Sequence, residues 1–203
     1  MPIKTILFDF MGTCLDWHSH IVSTLPSSLP EPLRSSFALL WRQAYFDSTA
    51  LHQSQNLPPE DIDHPRTHLR RDSFPRRERF IKAWHHLPAW EDVNPILEQL
   101  KTKGFEIVVF ANGTTRLQLD LCKSSGLGFD MLCSSQMLGV YKPAIESYAK
   151  VIELLGREAK ECVMVAAHAW TDDVKEDQEV VKMENEVWME GMTGLGDVIA
   201  GLG

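Results

Sequence analysis

Lys4-Thr5-Ile6-Leu7-Phe8-Asp9-Phe10-Met11-Gly12-Thr13 is the stretch from which the fold of this 203-residue chain is read. The apolar, β-rich run Ile3–Phe10 predicts a buried strand. It delivers one carboxylate, Asp9, near its end; Gly12 then permits a sharp turn and Thr13 follows with a hydroxyl. The carboxyl ends of strands are where open α/β sheets place their chemistry. The residue two positions after Asp9 is Met11, not a second acid.

The same alternation returns downstream. Phe105–Ala111 predicts a strand that runs into Asn112-Gly113-Thr114, and Thr115–Ser124 a helix stopped near Gly126. Met131-Leu132-Cys133 predicts a short strand, Ala144–Leu155 a helix ended by Gly156, and Cys162–Ala167 another strand. Strands alternating with helices predict an α/β fold with a Rossmann-like parallel sheet. Val93–Lys103 reads as a helix with Asp92 as its N-cap and Gly104 as its stop.

A helical block, Trp17–His86, separates the first strand from the next unit. Pro26, Pro30 and Pro32 are expected to break His20–Leu40 into short pieces. Phe37–Leu51 has helical apolar spacing, Gln53–Pro65 reads as a loop or helix start, and Arg66–His86 as a basic, helical segment. The expected organisation is a core domain of residues 1–15 and 88–203 with a helical cap domain, residues 16–87, inserted after the first strand. Beyond Trp170 the alternation fails: Thr171–Glu186 is acid-rich, and Met183–Leu202 reads as one or two short helices.

Composition narrows the classes of partner. The chain is 44% hydrophobic and 24% charged, ordinary for a globular protein, with net charge −8. An acidic balance argues against nucleic acid or an anionic membrane as partner. No apolar run approaches the roughly 18–20 residues of a membrane span. Asp9 interrupts the N-terminal apolar stretch, which therefore does not read as a signal peptide. Cys14, Cys122, Cys133 and Cys162 lack CxxC spacing and read as reduced thiols, so a cytoplasmic location is expected.

Polar groups gather at the predicted strand ends or in the loops that follow them: Asp9 and Thr13, Asn112 and Thr114, Lys142, and His168. In a parallel sheet these ends converge on one crevice. An ammonium beside a carboxylate suits a nucleophile that must stay ionised, and amide and hydroxyl donors suit an anionic ligand.

These residues carry a resemblance. Asp9-Phe10-Met11-Gly12-Thr13, Phe110-Ala111-Asn112-Gly113, Val140-Tyr141-Lys142-Pro143 and Val165-Ala166-Ala167-His168-Ala169-Trp170 resemble, in order, the four motifs of the haloacid dehalogenase superfamily. The likeness is nearest to its L-2-haloacid dehalogenase branch. It implies that Asp9 attacks C2 of a small 2-haloacid to form an ester, with Lys142 as its partner. It implies that Arg42 and Asn112 lie at the halide end. Tyr148, six residues after Lys142, would lie near the substrate carboxylate, with Thr13 and the Gly113 backbone helping to hold that group. It places His168 among the catalytic residues and Trp170 at the substrate, and it implies no metal, no cofactor, and a homodimer as the common assembly.

Met11 then gains meaning. Phosphatases of the superfamily carry an Asp at that position to protonate the leaving alkoxide, help worth about 10²–10⁴ in rate. Halide leaves without a proton. The chain also departs from the branch: Ala111 replaces a Ser, His168 an Asn and Thr171 an Asp, and a helix and strand are missing before the acidic tail. Three readings follow: a dehalogenase-like hydrolase, a degenerate or repurposed member of the family, and a Mg²⁺-dependent phosphatase using Asp172 and Asp173.

Overall fold

A computed structural model describes residues 3–55, 57, 77–167, 192 and 195–201. In chain order the elements are β1 (Thr5–Phe8), α1 (Trp17–Thr24), α2 (Glu31–Ser54), α3 (Arg77–Trp84), α4 (Val93–Thr102) and β2 (Glu106–Ala111). They continue with α5 (Thr115–Ser125), β3 (Met131–Ser134), α6 (Ser135–Leu138), α7 (Ile145–Leu154), β4 (Cys162–Val165) and α8 (Leu195–Ala200). The four strands form one parallel sheet in the order β3-β2-β1-β4, with Phe8 opposite both Val109 and Val165. This is the expected Rossmann-like core.

β1 is buried on both faces, as its unbroken apolar run requires. Successive side chains point to opposite sides of a strand, so Ile6 and Phe8 join one core cluster and Leu7 the other, with Val108, Phe110 and Val151. Phe129 meets Phe8 and Phe10 with ring centroids 6.2 and 5.6 Å apart. β4 pairs, among the described residues, with β1 alone and is only half-buried.

The helical insertion leaves and rejoins the core at adjacent points: Leu15 bridges Ala89, and the Asp16 N–H donates to the Pro88 carbonyl at 2.9 Å. Its helices α1 to α3 are joined by tryptophans. Trp17 stacks on Trp84 at 5.8 Å, and Trp41 meets Trp84 edge-on at 5.6 Å. Together these form the expected cap beside the sheet's carboxyl end.

Several boundaries differ from the sequence reading. Pro26, Pro30 and Pro32 do not fragment the whole of residues 20–40. α1 ends at Thr24, and α2 starts at Glu31 and runs 24 residues. Pro32 lies in the first turn of α2, where its missing N–H costs nothing. Gln53 and Ser54 belong to α2 rather than to a loop. Asp92 stands at the N-cap of α4 but bonds no helix N–H; its Oδ2 accepts from the Met192 N–H at 2.7 Å. The predicted segments over 58–76 and 168–191 lie outside the described residues.

At the amino end of the sheet, Glu106 accepts from the Thr5 hydroxyl at 2.8 Å and from Arg157 at 2.5 and 3.2 Å. Arg157, then Thr5, hold the Glu106 carboxyl below its ordinary 4.5. A carboxyl depressed by folding stabilises above its unfolded value, and that contribution is lost as pH falls through the folded value. Arg157→Met should therefore lower the melting temperature at pH 7, modestly because solvent screens the pair. The gap to the unsubstituted protein should close as pH falls below 4.5. Thermal melts of both proteins across that range check the sign.

Candidate active site

The site is assembled from the carboxyl ends of β1 and β2, the loop before α7, and α2. Asp9 follows β1, and its N–H donates to the Val165 carbonyl at 2.9 Å, which ties it to β4 as well. Its two carboxylate oxygens are held from different sides. Lys142 Nζ donates to Oδ1 at 2.9 Å, and Thr13 Oγ1 donates to Oδ2 at 3.2 Å. Thr13 Oγ1 also accepts from the Ala167 N–H at 2.9 Å. The carboxylate plane is thus fixed, while its side chain keeps 21% exposure, enough for a small ligand to reach it.

Lys142 is buried to 3% exposure. Its ammonium also donates to the Phe110 carbonyl at 2.7 Å and sits 5.0 Å from the Phe110 ring centroid. A buried ammonium needs this many partners to be tolerated. The backbone that delivers it is gripped by Asn112. Asn112 Nδ2 donates to the Lys142 carbonyl at 2.9 Å, and the Lys142 N–H donates to Asn112 Oδ1 at 2.8 Å. Both ends of the Asn112 amide are therefore engaged by Lys142, whereas the sequence reading had placed this side chain at the halide end. The Lys142-Pro143 peptide is cis.

Gly113 adopts φ +138°, a conformation that favours glycine, as the chain turns from β2 toward α5. Its N–H donates to Ser135 Oγ at 2.9 Å, and the Ser135 hydroxyl donates back to the Gly113 carbonyl at 3.1 Å. The Gly113 N–H thus has a protein partner rather than facing an open crevice. Thr114 caps α5, its hydroxyl accepting from the Leu117 N–H at 3.1 Å.

From the cap, Arg42 Nη2 donates to the Met11 carbonyl at 3.2 Å. Its guanidinium lies 4.4 Å from the Trp17 ring centroid and 5.1 Å from that of Phe46. Burial pulls Arg42 down to about 10, opposed by the charges of Asp9 and Tyr45. It remains a cation at neutral pH. Tyr148 packs edge-on to Phe110 at 5.2 Å, and burial together with the Asp9 charge pushes its phenol up.

Thr13 and Lys142 therefore bond the Asp9 carboxylate, Asn112 bonds the Lys142 backbone, and Arg42 and Tyr148 lie within reach of the Asp9 charge. His168 and Trp170 lie outside the described residues. Sequence reasoning did not single out the Phe110 carbonyl, the Ser135 hydroxyl or Tyr45. For Tyr45 a signal was available: it stands three residues after Arg42 on one helix, hence on a neighbouring face. For the other two, only the tertiary fold brings the partners together.

Among the described residues no three His, Cys, Asp or Glu side chains cluster to hold a metal ion, and no helix is long and apolar enough to cross a membrane.

A parallel sheet that presents a lysine-paired carboxylate beneath a helical insertion defines a hydrolase built for covalent attack by a carboxylate. The chain belongs to the haloacid dehalogenase-like hydrolase family, which it matches over residues 3–172. It is 27% identical over 178 residues to (S)-2-haloacid dehalogenase 4A of Burkholderia cepacia, spanning 83% of this chain and 76% of that protein. It is also 26% identical over 175 residues to a phosphoglycolate phosphatase of Aquifex aeolicus, spanning 80% and 75%. Among solved structures, the crystal structure of an L-2-haloacid dehalogenase superposes with a TM-score of 0.71 at 27% identity, covering 82% of this chain and 76% of that one.

Proposed function

We propose that this chain hydrolyses the carbon–halogen bond of a small 2-halo carboxylic acid, with Asp9 as nucleophile and without a metal ion. The observation that carries the reading is the Asp9–Lys142 pair at 2.9 Å with Met11, not an acid, two residues after Asp9. The ammonium supplies the counter-charge beside the attacking carboxylate. Halide departure asks for no proton, so nothing is lost by having methionine at that position.

One Asp9 carboxylate oxygen forms a bond to C2 as the carbon–halogen bond breaks, and the electron pair leaves with the halide. Water then attacks the ester carbonyl of Asp9. The 2-hydroxy acid leaves, a proton goes to solvent, and the Asp9 carboxylate is restored. Arg42 supplies positive charge at the halide end. Thr13 and Tyr148 line the substrate carboxylate, the Gly113 backbone fixes the turn after β2 through Ser135, and Asn112 holds Lys142 in register. The (S)-2-haloacid dehalogenase of Burkholderia cepacia and the superposable L-2-haloacid dehalogenase support this substrate class.

The test is free chloride released from L-2-chloropropionate with EDTA or with added Mg²⁺. The same rate is expected in both. Phosphate release from phosphoglycolate that requires Mg²⁺, with no chloride release, would instead assign the chain to the phosphatase chemistry of its Aquifex relative.

A further inference from the structure

We infer that Tyr45 is a further catalytic residue of this site, its hydroxyl donating a hydrogen bond to the departing halide on the side of the substrate opposite Asp9. This rests on the dehalogenase reading above and adds a group to it.

α2 lies across the carboxyl edge of the sheet and is tied down at two points. Arg42 Nη2 donates to the Met11 carbonyl at 3.2 Å, and Gln53 Nε2 donates to the Tyr141 carbonyl at 3.4 Å. Met11 follows Asp9 and Tyr141 precedes Lys142, so this part of the helix, about 16 Å long, bridges both halves of the ion pair. Tyr45 stands between the two ties, one turn from Arg42. The charges acting on its phenol include those of Tyr141, Arg42 and Asp9, so it lies within electrostatic reach of the nucleophile.

The Tyr45 hydroxyl is buried and has no hydrogen-bond partner among the described residues. The Thr49 hydroxyl, one turn further along, lies close enough to pull the phenol down as a hydrogen-bonding neighbour, but its own proton goes to the Tyr45 backbone carbonyl at 2.9 Å and its geometry does not satisfy the phenol. An unpaired buried hydroxyl costs free energy unless a ligand satisfies it. Burial, then Tyr141 and Asp9, push the phenol above its ordinary value; Thr49 and Arg42 pull the other way without reversing it. Tyr45 is therefore a neutral O–H donor at neutral pH.

Displacement at C2 is in line: the bond to Asp9 forms as the bond opposite it breaks. Asp9 attacks from the sheet, so the halide departs toward the cap, where α2 offers the Arg42 cation and the Tyr45 hydroxyl. No proton is transferred. The phenol stabilises charge that develops only as the bond breaks, which is the arrangement that accelerates a step.

The test is Tyr45→Phe, which removes one oxygen. For L-2-chloropropionate, kcat/KM should fall about 10²-fold, the effect of one donor aimed at developing charge. The fall should be smaller for L-2-bromopropionate, because bromide leaves more readily and accepts hydrogen bonds less strongly. The melting temperature should hold or rise, since the lost hydroxyl was unpaired, and a residue needed only for packing would not give that pattern. In parallel, tryptophan emission is titrated with sodium chloride and sodium bromide against sodium sulfate of equal ionic strength. Tyr45→Phe should weaken halide binding several-fold. An unchanged chloride-to-bromide preference, or an unchanged halide affinity, overturns the inference while leaving the dehalogenase reading intact. If the unsubstituted protein releases no halide from either substrate, that reading fails, and the titration decides Tyr45 alone: a halide site that depends on Tyr45 upholds its role as a halide donor, and none overturns it.

Discussion

Asp9→Asn should release no halide above background, while keeping the fold. An amide oxygen is a far weaker nucleophile than a carboxylate, and no second carboxylate follows it at Met11 to take over. Stability should also drop, by about 1–3 kcal/mol, because the substitution leaves the Lys142 ammonium buried without its counter-charge. The loss stays below that of an abandoned ion because the amide oxygen of the introduced asparagine and the Phe110 carbonyl still accept from Nζ. Chloride release, denaturant unfolding and far-UV circular dichroism of the same sample separate the two effects. Intact mass adds a further readout. Thr171 replaces the Asp that the family resemblance places after Trp170, which implies weaker help for the water that attacks the ester. If this slows hydrolysis, the unsubstituted protein should gain the mass of the substrate acyl group on incubation, and Asp9→Asn should not. Steady halide release with an unmodified mass would show that the second step is fast.

Lys142→Met should lose much, though not all, of the activity by a different route, at little cost to stability. A drop of about 10²–10³-fold in kcat is expected from removing a fixed charge beside the reacting carboxylate. Methionine can occupy the slot against Phe110 that the lysine stem fills. Asp9, with 21% of its side chain exposed, can recover solvation from water and keeps Thr13. The Phe110 carbonyl loses its donor, a cost of about 1 kcal/mol. The two substitutions therefore break one 2.9 Å contact with unequal consequences, because Lys142 is buried to 3% exposure and its partner is not. Unfolding in urea should rank Asp9→Asn below Lys142→Met. The opposite order would show that the burial of the ammonium does not govern the stability of the pair.

The strands and their order of chemistry were legible because burial on both faces leaves an unmistakable run of apolar residues. Ile6-Leu7-Phe8 and Ile107-Val108-Val109-Phe110 both read as strands and both lie at the centre of the sheet. Helix limits were less legible where proline was involved. Pro32 reads as a breaker in a linear scan but occupies the first turn of α2, where the backbone N–H has no helical acceptor to lose. Asp92 was at the N-cap position yet its carboxylate was drawn to Met192, a contact across 100 residues that local pattern cannot anticipate.

Local periodicity was enough to establish the α/β alternation and the insertion after β1. Because parallel strands point their carboxyl ends one way, it also placed Asp9, Thr13, Asn112 and Lys142 at one edge of the sheet. What each side chain touches came from the folded chain alone. Folding directed the Asn112 amide onto the Lys142 backbone, engaged the Gly113 N–H with Ser135, and left the Tyr45 hydroxyl buried, without a hydrogen-bond partner among the described residues, and within electrostatic reach of Asp9. Hydrogen-bond partners are set by distances of a few ångströms between segments far apart in the chain, and spacing along the sequence does not encode those distances.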